Sequence, residues 1–495
     1  MKSTCAKTKI RVSRLSKPQW KPHDYQVRGV EHLVQRGSAA LFMDPGLGKT
    51  SISLTALKVI KRSDLGKRCL VVAPLRVATE VWTAEVAKWA DFEGLRVEVL
   101  HGPHKDAALE RDADIYTINP EGLSWLLSRR RFAKLHPDTL VVDESTKFKN
   151  TRSLRFKLLK TVLGKFRRRW ILTGTPSPNG LEDLFGQIFI LDQGRALGSF
   201  ITHFRNKYFV PSVVCKVEGK DGKSHTVNDW VPAEGAAEKI SEAIAPYVLR
   251  LSADDYLKLP KLIKNVVPVT LPPSARKIYE TLQEEMFAEM DDGGLAVAMS
   301  KASATMKCRQ VANGGLYKQF DADDQPVLKK GEWSKIHDAK TEAVLDIVEE
   351  LQGAPVLVAY EFAHDLARLR EALGANTPCI CGGLPDKKLH EIITAWNAGE
   401  IPVLLAQPAA MSHGLNMQES CRHVIIHSLT WDLEIHDQFI KRVWRQGNTA
   451  SSVVLHYLVA KDTVDEAILD TLNVKSHDQK ALMACIQKYR ERLGR

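Results

Sequence analysis

Apolar residues along the chain fall into short runs, separated by longer stretches in which they recur every three or four positions. In the first half the runs are Ala39–Met43, Cys69–Ala73, Thr139–Val142 and Trp170–Leu172. Runs of strand length flanked by helical periodicity predict buried strands alternating with helices, and hence parallel sheets. The texture changes near residue 250, where Pro260, Pro268, Pro272 and Pro273 mark an extended segment before helical spacing at Tyr279, Leu282 and Met286. Strand rhythm resumes at Val356–Tyr360, Val403–Ala406, Val424–His427 and Val453–Val459. This pattern predicts a basic tail over 1–20, one α/β lobe over 21–250, a mainly helical inter-lobe segment over 251–335 and a second α/β lobe over 336–495. Gly219–Asp229, rich in Gly, Asp, Lys and Ser, reads as a surface hairpin or loop inserted in the first lobe.

Composition narrows the classes. A chain of 495 residues is too long for one core at roughly 150 residues per domain. Hydrophobic residues at 44% and charged residues at 26% exclude wholesale disorder, collagen and coiled-coil rods. No window approaches the roughly 18 uninterrupted apolar residues of a membrane helix, which predicts a soluble protein without a transmembrane segment. With 70 Lys+Arg against 59 Asp+Glu, the formal charge of +11 favours a polyanionic partner. Of the eight cysteines only Cys379 and Cys381 are close, as C-x-C rather than the C-x-x-C of zinc sites, which points to thiols in a reducing compartment. The acid-free start, from Lys2 to Lys21, lacks the apolar core of a secretory signal and reads as a disordered basic tail, with a transit peptide as the alternative.

Two segments carry chemistry. Ala40-Leu-Phe-Met-Asp-Pro-Gly-Leu-Gly-Lys-Thr50 is an apolar strand entering a glycine turn and then a helical pattern, the context a phosphate-binding loop requires. Gly46 and Gly48 let backbone N–H groups converge on phosphate oxygens, Lys49 reaches the β- and γ-phosphates, and Thr50 supplies a ligand for Mg²⁺. The strict form of the motif has glycine where this chain has Met43. Thr139-Leu-Val-Val-Asp-Glu-Ser145 is a buried-type strand that delivers two carboxylates at its C-terminal end, where open parallel sheets bind ligands. Asp143 fits the Mg²⁺-holding carboxylate, and Glu144 fits the group that orients and deprotonates an attacking water.

Asp143-Glu144-Ser145 with Lys149-Asn150, and then Leu172-Thr-Gly-Thr-Pro176, resembles the ATPase core of helicase superfamily two, specifically the SWI/SNF-like DNA translocases. The resemblance runs over nearly the whole chain. Gln26 matches the family's adenine-recognising glutamine, while Val72-Ala-Pro74 and Thr117-Ile-Asn-Pro-Glu121 match motifs near nucleic acid. Lys340 in His337-Asp-Ala-Lys, Ser412-His-Gly-Leu-Asn-Met-Gln418 and Gln438 to Gly447 are similar to signatures of the second lobe. The compact form, with Pro176-Ser-Pro-Asn-Gly-Leu-Glu-Asp-Leu-Phe185, is most similar to versions encoded by bacteriophages and bacteria. The resemblance implies an α/β protein of two RecA-like lobes, acting as a monomeric motor in the cytoplasm of a bacterial or phage-infected cell. It implies ATP and Mg²⁺ in the cleft, with Gly414 in the ATP site, Arg442 and Arg445 presented across the cleft to the transferring phosphoryl group, and Thr173 and Thr175 relaying between sites. Its expected activity is a DNA-dependent ATPase that couples hydrolysis to translocation on, or remodelling of, duplex DNA. The rivals are a strand-separating helicase, a nucleotide-gated DNA-binding protein with negligible turnover and a small-molecule P-loop kinase.

One reading is independent of family. From Lys147 to Arg169 the chain carries ten Lys and Arg residues and no Asp or Glu. A solvated helical face normally mixes signs, so this run, and Arg167, Arg168 and Arg169 in particular, is expected to contact DNA phosphates. Trp333, Trp396 and Trp431 are assigned to core or interface packing.

Overall fold

The computed structural model describes residues 17–177, 180–218, 224–256, 259–291, 305–318, 331–411, 415–430, 432–445, 448 and 450–473. Most of the basic tail, Gly414, Trp431, Gln446 and Gly447 lie outside the described residues. None of the helices among them is long and apolar enough to cross a membrane.

The first lobe is built on a sheet of seven strands: β1 (Ser38–Met43), β2 (Cys69–Val72), β3 (Val97–Val99), β4 (Ile115–Ile118), β5 (Thr139–Asp143), β6 (Arg168–Thr173) and, after a hairpin of β7 (Phe209–Glu218) and β8 (Ser224–Pro232), β9 (Val248–Leu251). Their spatial order is β3-β4-β2-β5-β6-β1-β9, and every pairing is parallel. Every residue of β2, β4 and β5 is buried, as expected when helices cover both faces of a parallel sheet. Alternation along β1 divides the core: Ala40 and Phe42 pack into one cluster, and Ala39, Leu41 and Met43 into the other. The hairpin β7–β8 is antiparallel and falls where the polar, glycine-containing stretch predicts an insertion.

In the second lobe the strands are β10 (Lys261–Val269), β11 (Gly315–Tyr317), β12 (Trp333–Lys335), β13 (Val356–Ala359), β14 (Cys379–Ile380), β15 (Val403–Ala406), β16 (His423–Ile426) and β17 (Ser452–Ala460). Six of them form a parallel sheet in the order β10-β17-β16-β13-β15-β14, while β11 and β12 pair antiparallel beside it. The fold class expected from the chain, two α/β lobes with parallel sheets, is the one observed.

Within 251–335 the structure departs from a helical connection. Strand β10 adds nine residues in register along β17, and Pro268 is tolerated because β10 is an edge strand with one unpaired side. The helix Pro273–Asp291 buries Ala275 and Tyr279 in the second lobe's core, and Tyr279 Oη accepts a 2.7 Å hydrogen bond from Val464 N. Helix 305–313 adds Cys308, Val311 and Ala312 to the same core. Its Asn313 Oδ1 accepts from Lys340 Nζ at 2.7 Å, and that fully buried ammonium also pairs with Asp465 Oδ2 at 2.6 Å. The described part of 261–318 therefore folds as part of the second lobe. The four prolines read as an extended connection because sequence pattern alone does not distinguish an edge strand from a linker.

Candidate active site between the lobes

Strand β1 ends at Met43, and the chain turns through Asp44–Gly48 into the helix Lys49–Arg62. Gly46 (φ 94°) and Gly48 (φ 81°) both occupy the left-handed region, and a Cβ on Gly48 would come within 2.5 Å of Gln26 Nε2. Any side chain at Gly48 would be strained in this conformation. Gln26 is held on both sides of its amide: Oε1 accepts from His23 N at 2.9 Å, and Nε2 donates to Leu47 O at 3.2 Å. The predicted adenine-reading residue is thus hydrogen-bonded to the phosphate loop itself. Lys49 Nζ donates to Met43 O at 2.7 Å, and burial depresses its pKa against the opposing pull of Glu144 and Asp143. Pro45 packs against the turn after β6, where a Cβ on Gly174 would sit 2.9 Å from Pro45 Cδ.

Asp143 closes β5 at the C-terminal edge of the sheet. Its Oδ2 accepts from Trp82 Nε1 at 3.1 Å, and burial, reinforced by Glu144 and opposed by Lys49, pushes its pKa up to about 6. Glu144 has φ 54°, a left-handed conformation that is uncommon outside glycine and turns the chain sharply after the strand. Next to it Ser145 Oγ donates to Gln187 Oε1 at 2.6 Å, and Gln187 Nε2 donates to Pro176 O at 2.5 Å. A fully buried glutamine, unmarked by any motif, therefore ties the loop after Glu144 to the turn that carries Thr175. Thr173 is buried in β6 opposite Phe42, and its Oγ1 accepts from Thr175 N at 3.2 Å.

Across the cleft the second lobe presents the helix Leu433–Val443, capped by Asp432 Oδ1 accepting from Ile435 N at 3.0 Å. Positions 434, 438 and 442 recur every four residues and share one face. Arg442 is buried with Glu144 as its favourable charge. Just beyond the helix, Arg445 lies over the phosphate loop: its Nε and Nη2 are each 3.6 Å from where a Cβ on Gly46 would stand, and its Nη1 donates to Asn416 Oδ1 at 2.5 Å. Burial and the neighbouring Arg442 lower the Arg445 pKa to about 10. Gln26, Gly46, Gly48, Lys49, Thr50, Asp143, Glu144, Arg442 and Arg445 line one open cleft of ≈ 420 Å³. Thr173 and Thr175 do not line it, and Gly414 lies outside the described residues.

Two arginines of the charge run are also used within the first lobe. Arg168 and Arg169 open β6 at the end of the sheet opposite the cleft, and their guanidinium groups serve the fold. Arg168 Nη1 donates to Val34 O at 3.0 Å; Arg169 donates to Leu191 O at 2.7 Å and to Leu163 O and Phe166 O at 3.1 Å each. Arg168 Nη1 and most of the Arg169 donors are thus engaged by carbonyl groups of the first lobe, a structural use that stands beside the DNA contact expected of these residues. Arg167 alone of the three is exposed. Arg169→Ala is expected to lower the melting temperature by several degrees, because it strands partly buried carbonyls at about 1–3 kcal/mol. If its role is structural alone it should leave the salt dependence of DNA binding unchanged, whereas a shallower slope in a filter-binding titration would support the phosphate contact.

The SNF2-related domain model matches residues 25–314, and the helicase conserved C-terminal domain model matches residues 339–447. A putative protein p41 of Acyrthosiphon pisum secondary endosymbiont phage 1 is 35% identical over 483 residues, covering 94% of this chain and 99% of that protein. An uncharacterized ATP-dependent helicase, YqhH, of Bacillus subtilis is 22% identical over 476 residues, covering 93% of this chain and 79% of that one. The mouse DNA annealing helicase and endonuclease ZRANB3 is 24% identical over 470 residues, covering 91% of this chain and 40% of that protein. A family model spanning more than half of the sequence, joined by a phage relative aligned almost end to end, establishes that this chain belongs to the SNF2-related family of helicase-like ATPases.

Proposed function

We propose that the chain is a DNA-dependent ATPase that converts lobe closure into movement on duplex DNA. The observation that carries this reading is the position of Arg445, delivered by the second lobe to the face of Gly46 in the phosphate loop of the first. In this reading Gln26 contacts the base, and the N–H groups around Gly46 and Gly48 together with Lys49 receive the phosphates. Lys49 then exchanges its contact with the Met43 carbonyl for phosphate oxygen. Glu144 orients the water and takes its proton, while Arg442 and Arg445 stabilise charge spread over the equatorial oxygens of the transferring group. Hydrolysis is fast only when the arginines are in place, so a duplex that favours the closed arrangement accelerates turnover.

Asp143 and Thr50 fit a bound Mg²⁺: a buried carboxylate whose charged form is disfavoured, beside a second carboxylate, is a site that a divalent cation neutralises. A Mg²⁺ held by Thr50 and Asp143 would neutralise charge on the nucleotide phosphates. Support for DNA as the track comes from family membership, from the DNA named for the mouse relative and from the formal charge of +11. The phage relative supports action in the cytoplasm of a bacterial or phage-infected cell, and we assign a monomeric motor. ATPase rates without nucleic acid and with single strands, duplex DNA or RNA test the reading, alongside displacement of a third strand from a triplex. Stimulation by duplex together with displacement is the expected result. Turnover indifferent to nucleic acid would overturn it, and efficient unwinding of a simple fork without displacement would favour a helicase.

A further inference from the structure

The arginine-bearing helix meets the first lobe through two further contacts, made by residues to which no role in the ATP site is assigned above. Near its end, Lys441 Nζ lies 2.8 Å from Asp44 Oδ1 in the phosphate loop. In its first turn, Glu434 accepts from Thr146 Oγ1 at 3.4 Å and stands 3.9 Å from Lys149 Nζ. Thr146 and Lys149 belong to the turn that leaves Glu144, and Lys149 is steadied from its own lobe by Asp183 at 3.5 Å. Gln438 Nε2, one turn along from Glu434, donates to Glu434 Oε1 at 3.1 Å and holds the carboxylate towards the cleft. Side chains in these ion pairs are about one-quarter exposed, so the attraction is less screened than on an open surface.

Geometry gives these contacts a task. Glu434 and Lys441 are seven residues apart, roughly 10 Å along a helix rising 1.5 Å per residue. A rigid rod pinned at two points that far apart is fixed in translation and tilt, and Arg442 and Arg445 follow directly after the second pin. Misplacement of a catalytic group by about 1 Å can cost 10²-fold in rate. One pin grips the phosphate loop and the other grips the turn carrying the water-orienting carboxylate. We infer that Asp44–Lys441 and Glu434–Lys149 form a two-point latch that registers the arginines against both halves of the ATP site. Glu434 and Lys441 are positioning residues in this scheme, and their role rests on the proposed ATPase reading.

The test uses the full chain and the variants Glu434→Gln, Lys441→Gln and the charge swap Lys149→Glu with Glu434→Lys. Each neutralised variant should lower kcat at saturating duplex about fivefold, with the Kd for labelled ATP and the melting temperature unchanged. The charge swap should recover at least half of the loss shown by Glu434→Lys alone. Wild-type kcat in both neutralised variants, a parallel fall in ATP affinity and melting temperature, or a swap that recovers nothing would each overturn the latch. Small-angle scattering separates this failure from failure of the ATPase reading. A non-hydrolysable ATP analogue with duplex should compact the wild type more than either neutralised variant, even if hydrolysis proves undetectable, and equal compaction would sink the latch on its own.

Discussion

Replacing Glu144 by Gln is expected to lower duplex-stimulated turnover about 10³-fold, within the 10²–10⁴ range that a positioned general base contributes. The amide keeps the shape of the side chain and its hydrogen-bonding reach but cannot take the proton of the attacking water. ATP binding should persist, because Lys49, Thr50 and Asp143 are untouched. Removing the carboxylate also relieves the repulsion that helps to push Asp143 up to about 6. Lys49→Ala makes the contrast: the loss then begins at binding, since the ammonium that contacts the Met43 carbonyl before the phosphate loop is gone. Steady-state hydrolysis measured beside equilibrium binding of labelled ATP distinguishes the two. Near-wild-type turnover of Glu144→Gln with duplex present would remove Glu144 from the role of base.

Arg445→Ala should cost a similar amount by another route. A guanidinium supplied across a cleft to a transferring phosphoryl group contributes about 10³–10⁵ in rate. In the structure this group faces Gly46, is half-buried, and is anchored on its own lobe through Asn416. Its interaction with nucleotide strengthens as charge develops in the transition state, so kcat should fall by about 10³ while the Kd for ATP changes by less than about threefold. Stimulation by duplex should disappear with it, because closure then brings no arginine of this position to the phosphates. Equal losses in kcat and affinity would assign Arg445 to ground-state binding.

Much of the site is legible in the chain because its chemistry is local. Gly46, Gly48, Lys49 and Thr50 are adjacent in sequence, and their joint use requires only that a strand precede them and a helix follow. Asp143 and Glu144 likewise need only a buried strand to deliver them. Arg442 and Arg445 are recognisable through family resemblance; nothing in their own spacing tells them apart from surface arginines. The charge run shows the opposite case. Ten cations without an acid look alike in sequence, yet Arg168 and Arg169 cap carbonyls at the far end of the sheet, a destination set by helices beginning and ending elsewhere in the chain.

The sequence by itself determined the alternation of strands and helices and the two α/β lobes, and it singled out the residues proposed to meet phosphate and metal, since apolar period and loop chemistry act over a few neighbouring positions. Tertiary structure decided the rest. It assigned β10 and the helices before residue 314 to the second lobe, because an edge strand is defined by the partner it pairs with. It placed Gln187 between Ser145 and Pro176, and set Glu434 and Lys441 against Lys149 and Asp44, residues nearly three hundred or more positions away in the chain. Contacts at such separations depend on how two separate sheets approach each other, and no local pattern of hydrophobic and polar positions encodes that distance.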